Sequence, residues 1–268
     1  MPGPRHCVMV IATLALAVCA MPTGPAVEAL RFSAPVVLLG EVHDHPGQHA
    51  LRLQAFEAAL ARGARPALAL EQFDRDRQGA IDALRAREPA PDPQALISAV
   101  GGSGWDWDFY RPFIALALQH GLPIVAANVP RDEARRVMRE GLAAAGFEAR
   151  VPADVLAAHT RSIETSHCGA LPPGLAPQMA LAQVARDQFM ARVLQEQAAR
   201  GVVLLAGNGH VRTDVGVPRW LDPATRARSV AIGVLEAGDT TTAFDRIVRT
   251  AAHPRPDPCV GFKPPAAR

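Results

Sequence analysis

The sequence predicts an α/β protein: a mainly parallel sheet flanked by helices, carrying a helical lid subdomain. Three observations lead there. Five short apolar runs have the length of strands and lack polar alternation, the pattern of strands buried on both faces. Stretches with helical apolar spacing separate them, as βαβ units require. One segment, 151–200, keeps the helical spacing but offers no convincing strand.

In chain order, the first strand is expected at 36–39 and is followed by a helix over 49–62, whose apolar positions include Leu53, Phe56 and Leu60. A second strand at 67–70 precedes a helix over 75–87 with Ile81 and Leu84 on its apolar face. Proline and aspartate at 89–93 mark a surface loop. A helix at 111–120, a strand at 123–127 and a helix at 131–145 continue the alternation. Helices at 151–165 and 175–200, with a proline-rich turn at 171–177 between them, would cap one end of the sheet. Strands at 202–206 and 229–235 complete it. The α/β domain then spans 30–250, with the lid at about 151–200 and a proline-rich tail at 251–268.

Composition narrows the partners. With 49% hydrophobic and 20% charged residues, the 268-residue chain suits one globular domain. A net charge of +2 is too small to build a phosphate-tracking surface, which argues against nucleic acid. Lys263 is the only lysine, so the basic character is almost wholly arginine.

Residues 1–20 read as an export signal, because Arg5 and His6 precede an apolar run at 8–18 that is too short to span a bilayer. Cleavage is expected near Ala20, with Val27-Glu28-Ala29 as a second candidate. The run Leu16-Ala17-Val18-Cys19 also approaches a lipobox, which would place a lipid anchor on Cys19. The expected location is therefore periplasmic or outer-membrane-associated. Processing would leave Cys168 and Cys259, either as a disulfide suited to an oxidising compartment or as two separate thiols. The bridge is the favoured reading, since it would hold the tail to the domain.

Chemistry concentrates at the expected strand ends. Glu41 and His43 follow the first strand in Leu39-Gly40-Glu41-Val42-His43-Asp44, and His210 follows the fourth in Gly207-Asn208-Gly209-His210. Glu71 and Asn128 follow the second and third. Open α/β sheets bind ligands at the carboxyl ends of their strands, so these side chains emerge where a site belongs. The Gly-x-x-His spacing alone carries no weight, because a third copy, Gly3 to His6, falls in the export signal. Taken singly, each histidine is as well read as a helix cap or a backbone partner. Together, Glu41, His43, Glu71 and His210 would make a divalent-metal site or an acid–base site, and they are expected to line one pocket.

The ordered set of motifs resembles the ChaN-like haem-binding uptake proteins of the Tiki superfamily. It comprises Leu39 to Asp44 with Pro46 and His49, Leu70-Glu71-Gln72-Phe73, the aromatic stretch before Arg111-Pro112, and Asn128-Val129-Pro130-Arg131. It continues through Ser166-His167-Cys168, Ala182-Gln183 with Arg186-Asp187, and Gly207 to His210, covering roughly 36–220. His45 and Gln48 depart from the pattern, standing where relatives carry Asn and His. The resemblance implies an exported haem-binding protein of haem or iron uptake, with haem, a second copy of the chain and an outer-membrane haem-uptake system as partners. Its haem-binding candidates are Tyr110, His49, Arg186 and Asn128. Tyr110, the only tyrosine, could ligate the iron, but reads better as a packed aromatic anchor. Arg186 would meet a haem propionate, a buried carboxylate, or only its neighbour Asp187. The wider superfamily implies an alternative, a metal-dependent hydrolase using Glu41, His43, Glu71 and His210. No Cys-x-x-Cys-His occurs, so covalent c-type attachment is excluded.

Overall fold

The computed structural model of the protein describes residues 24–88 and 91–260, so the export signal and Cys19 lie outside the described residues. Six strands, all parallel, form one sheet in the order β3-β2-β4-β1-β5-β6. They are β1 (Val36–Glu41), β2 (Ala67–Asp74), β3 (Ile124–Asn128), β4 (Val202–Gly207), β5 (Ser229–Glu236) and β6 (Arg246–Thr250). The helices are α1 (Pro25–Ala29), α2 (Pro46–Ala61), α3 (Gln78–Arg87), α4 (Pro93–Val100), α5 (Trp107–Gln119), α6 (Arg131–Glu140), α7 (Ala153–Ser166), α8 (Leu175–Gln197), α9 (Asn208–Val211) and α10 (Pro223–Ala227). No described helix is long and apolar enough to cross a membrane.

All six residues of β1 and of β4 are buried, as expected of strands covered on both faces. Alternate side chains divide between two cores. Val37, Leu39, Leu68, Leu70, Val203 and Leu205 pack against Phe56 of α2, Ile81 of α3 and Phe113 and Ile114 of α5. Val36, Leu38, Ala69, Val202 and Leu204 pack against Met190, Val193 and Leu194 of α8. The second half of α8 is thus a sheet-covering helix. Its first half carries Ala182, Val184 and Ala185 into a separate cluster with Val137 of α6 and Val155 of α7. The expected lid segment is therefore anchored through a helix that belongs to the main core.

Strand β6 was not anticipated. Its sequence, Arg-Ile-Val-Arg-Thr, lies at the sheet edge and buries only Val248, so it lacks the continuous apolar run of the inner strands. Helix boundaries also differ from expectation, most at α5 and α6. Asp106 caps α5 through the Asp108 N–H, so that helix begins at Trp107 rather than at 111. Gly141, with φ 86°, ends α6 before a short 3-10 turn at Leu142–Ala145, where one helix over 131–145 was expected. A disulfide joins Cys168, just after α7, to Cys259 in the tail.

Candidate functional site

The central pair β1 and β4 runs in register from Val36↔Val202 to Glu41↔Gly207. From β1 the chain proceeds to β2 and β3 on one side, and from β4 to β5 and β6 on the other. That divergence opens a crevice at the carboxyl ends of the central strands, the usual ligand position in such sheets. Glycine lets two backbones close there. At Gly40 the Asn208 amide fills the space a Cβ would take, bonding Val234 through both its nitrogen (2.7 Å) and its oxygen (3.1 Å). At Gly207 a Cβ would lie 2.8 Å from His43 Nε2, so only glycine lets the His43 ring lie over β4.

Glu41 is fully buried and heavily engaged. Arg52 and the Tyr110 hydroxyl donate to it, and His43 Nδ1 lies 2.7 Å from its Oε1. Burial pushes its carboxyl up, but the Arg52 guanidinium, then His43 and His49, outweigh that and hold it at about 2. It is therefore an anion at any working pH. His43, with 45% of its side chain exposed, is pulled down by its partial burial but raised further by the Glu41 hydrogen bond and by the charge of Glu71. Its ring meets Trp105 edge-on at 5.0 Å.

Glu71 and His210 form a second group, on the side of α8. Glu71 accepts the Gly207 N–H (2.7 Å) and lies 3.5 Å from His210 Nε2. His210 Nδ1 sits 2.6 Å from Asp187, and Asp187 also lies 3.3 Å from His159 Nε2. Burial pulls His210 down, but Asp187 and then Glu71 raise it to about 10. Glu71 is lifted by burial and lowered more by His210 and His43, and it ends below its ordinary value.

The four expected residues thus gather at one end of the sheet, but in two groups rather than around one shared ligand. Among the described residues no group of three or more His, Cys, Asp or Glu side chains is placed to hold a metal ion. The physical reason is plain. Glu41 is occupied by Arg52 and Tyr110, and both nitrogens of His210 face carboxylates.

The expected haem contacts divide as well. Tyr110 is 1% exposed and its hydroxyl donates to Glu41, with burial and that carboxylate pushing its ionisation up. His49 is likewise buried, stacked on Phe109 at 4.3 Å with its Nε2 2.9 Å from the His43 carbonyl oxygen. Burial and Arg52 depress it to about 4, so it is neutral. Asn128 donates to Asp74 at 3.0 Å. Arg186 is half-buried and, among the described residues, forms no ion pair.

The imidazole available to a ligand is that of His43. Its Nδ1 is held by Glu41, Nε2 lies against Gly207, and Trp105 supplies an aromatic side wall. Imidazole beside aromatic surface is donor chemistry that fits haem. Sequence reasoning missed Arg52, Asp187's contact with His210, and His159. Only Arg52 left a signal, an arginine on the apolar face of α2 between His49 and Phe56.

The profile of a family described as haem-binding uptake, Tiki superfamily, ChaN matches residues 30–221. Among solved structures, one of ChaN of Campylobacter jejuni, titled for cofacial heme binding, superposes with a TM-score of 0.69. It is 23% identical, over 83% of this chain and 89% of that one. The type III effector HopBA1 superposes with a TM-score of 0.45 at 14% identity, over 87% of this chain and 96% of that one. A mutant erythromycin esterase, EreC, in its open conformation gives 0.42 at 13% identity, over 79% and 71%. No curated protein matches the chain.

Proposed function

Because the chain belongs to the ChaN family of haem-binding uptake proteins in the Tiki superfamily, we propose that it captures haem at the carboxyl ends of β1 and β4, with His43 as the iron-facing residue, in haem or iron uptake outside the cytoplasm. The observation that carries this reading is the Glu41–His43 pair. A half-exposed imidazole whose far nitrogen is held by a buried carboxylate is fixed in orientation and made a better donor, as metal-binding histidines commonly are. The haem would supply the iron and the apolar ring. Around it, Trp105 offers a side wall.

Export is supported by the signal pattern at 1–20 and by a disulfide, a bond that persists in oxidising compartments. A second copy of the chain and an outer-membrane haem-uptake system are the proposed protein partners; a lipid anchor on Cys19 would keep the protein at that membrane. Intact mass of envelope material decides between cleavage near Ala20 and acylation at Cys19. Sedimentation with and without hemin decides whether two copies assemble.

The hydrolase alternative draws on one observation, the imidazole of His210 between Asp187 and Glu71. A histidine raised to about 10 keeps its proton at neutral pH and makes a poor general base there, so binding is the better-supported reading. The test is a hemin titration. Wild type is expected to develop a Soret shift at micromolar protein, His43→Ala to lose it, and Tyr110→Phe to retain it. No shift in wild type sinks the reading, and a shift lost only in Tyr110→Phe reassigns the ligand.

A further inference from the structure

Beyond Thr250, the end of β6, the described tail returns over the loop that carries His43. Its contacts are specific. The Arg255 guanidinium donates to both Asp44 oxygens, at 2.7 and 2.8 Å, and to Glu236 at the end of β5, at 2.9 Å. His45 accepts the Gln48 N–H through Nδ1, which leaves its proton on Nε2, and Nε2 donates to the Ala251 carbonyl at 2.9 Å. Gln48 in turn accepts the Val42 N–H at 2.8 Å and donates to Thr250 at 3.0 Å. The residues on either side of His43, namely Val42, Asp44 and His45, are therefore all held directly or indirectly from β6 and the tail. The far end of the same segment is joined to Cys168.

We propose that this tail is a strap that positions the His43 loop, with Arg255 as its positioning residue and the Cys168–Cys259 disulfide as its latch, so that reduction loosens the loop and weakens haem capture. The link to capture rests on the haem reading of the site. Tail residues 254–260 are exposed, and exposed ion pairs alone hold a free segment poorly, because ordering it opposes them. With both ends fixed, at β6 and at Cys168, the Arg255 contacts become intramolecular at high effective concentration. Release needs a dithiol. Its thiolate attacks one sulfur of the bridge to give a mixed disulfide, and its second thiol displaces it. Two electrons and two protons pass to Cys168 and Cys259, and the reductant leaves as a disulfide.

Hydrogen exchange and hemin titration on the full chain test this, comparing wild type with Cys259→Ser and Arg255→Ala. The amides of residues 42–48 are expected to exchange about tenfold faster in both variants, with α8 unchanged in Arg255→Ala. Hemin affinity is expected to fall about fivefold in both. Arg255→Ala keeps the test open if Cys259→Ser folds poorly. Unchanged exchange at 42–48 in both variants overturns the strap, and faster exchange with unchanged hemin affinity overturns its action on capture. If wild type itself binds no hemin, the haem reading fails separately, and the exchange measurement alone decides the strap.

Discussion

Two side chains set the electrostatics of the site. Glu41 is buried and paired with Arg52, so Arg52→Met would leave an uncompensated charge in the core. The expected loss of stability is about 3–5 kcal/mol, read from urea unfolding. His210 gives a pH dependence of the opposite sense from a carboxylate. Its folded value, about 10, lies above the ordinary 6.5, because Asp187 and Glu71 stabilise the imidazolium. That stabilisation is complete below pH 6.5 and is lost as the pH rises through 10, a change of about 4–5 kcal/mol at most. Unfolding midpoints from pH 6 to 10 should fall in wild type and stay nearly flat in Asp187→Asn, at a lower overall stability. A flat wild-type profile would mean that His210 is neutral in the folded protein.

At the scale of elements, the last residue of β4 controls His43. Gly207→Ala should leave the fold intact but push the imidazole off β4, lowering hemin affinity by about tenfold or more in a Soret titration. The inner strands were legible in the sequence because burial on both faces writes a continuous apolar run, although β1 and β2 extend beyond it to Glu41 and Asp74. Those runs are how Glu41, Glu71 and His210 could be located before their neighbours were known. What was not legible was pairing. Nothing at position 110 says that its hydroxyl belongs to Glu41, 69 positions earlier, and nothing at 187 says that it meets His210. Those contacts depend on strand order, which local periodicity does not encode. The edge strand β6 escaped for the converse reason: half-covered, it needs few apolar residues.

For the whole molecule, the disulfide spans 91 positions, enclosing α8 and the last three strands. Chain-entropy reasoning gives a loop of that length about 4–5 kcal/mol, and native bridges typically contribute about 2–5. The melting temperature of Cys259→Ser should therefore lie on the order of 10 °C below wild type, by calorimetry. The sheet order has a further consequence, for the timing of folding. β1 is the first strand made, yet its partners are β4, which begins 166 positions later (202 − 36), and β5, 193 positions later (229 − 36). The strand bearing Glu41 therefore has no neighbour to pair with until most of the chain exists. Long-range parallel pairing of this kind is slow, because a large loop must close before any contact rewards it. A chain emerging from the ribosome thus leaves its central strand unpaired until β4 and then β5 have been made.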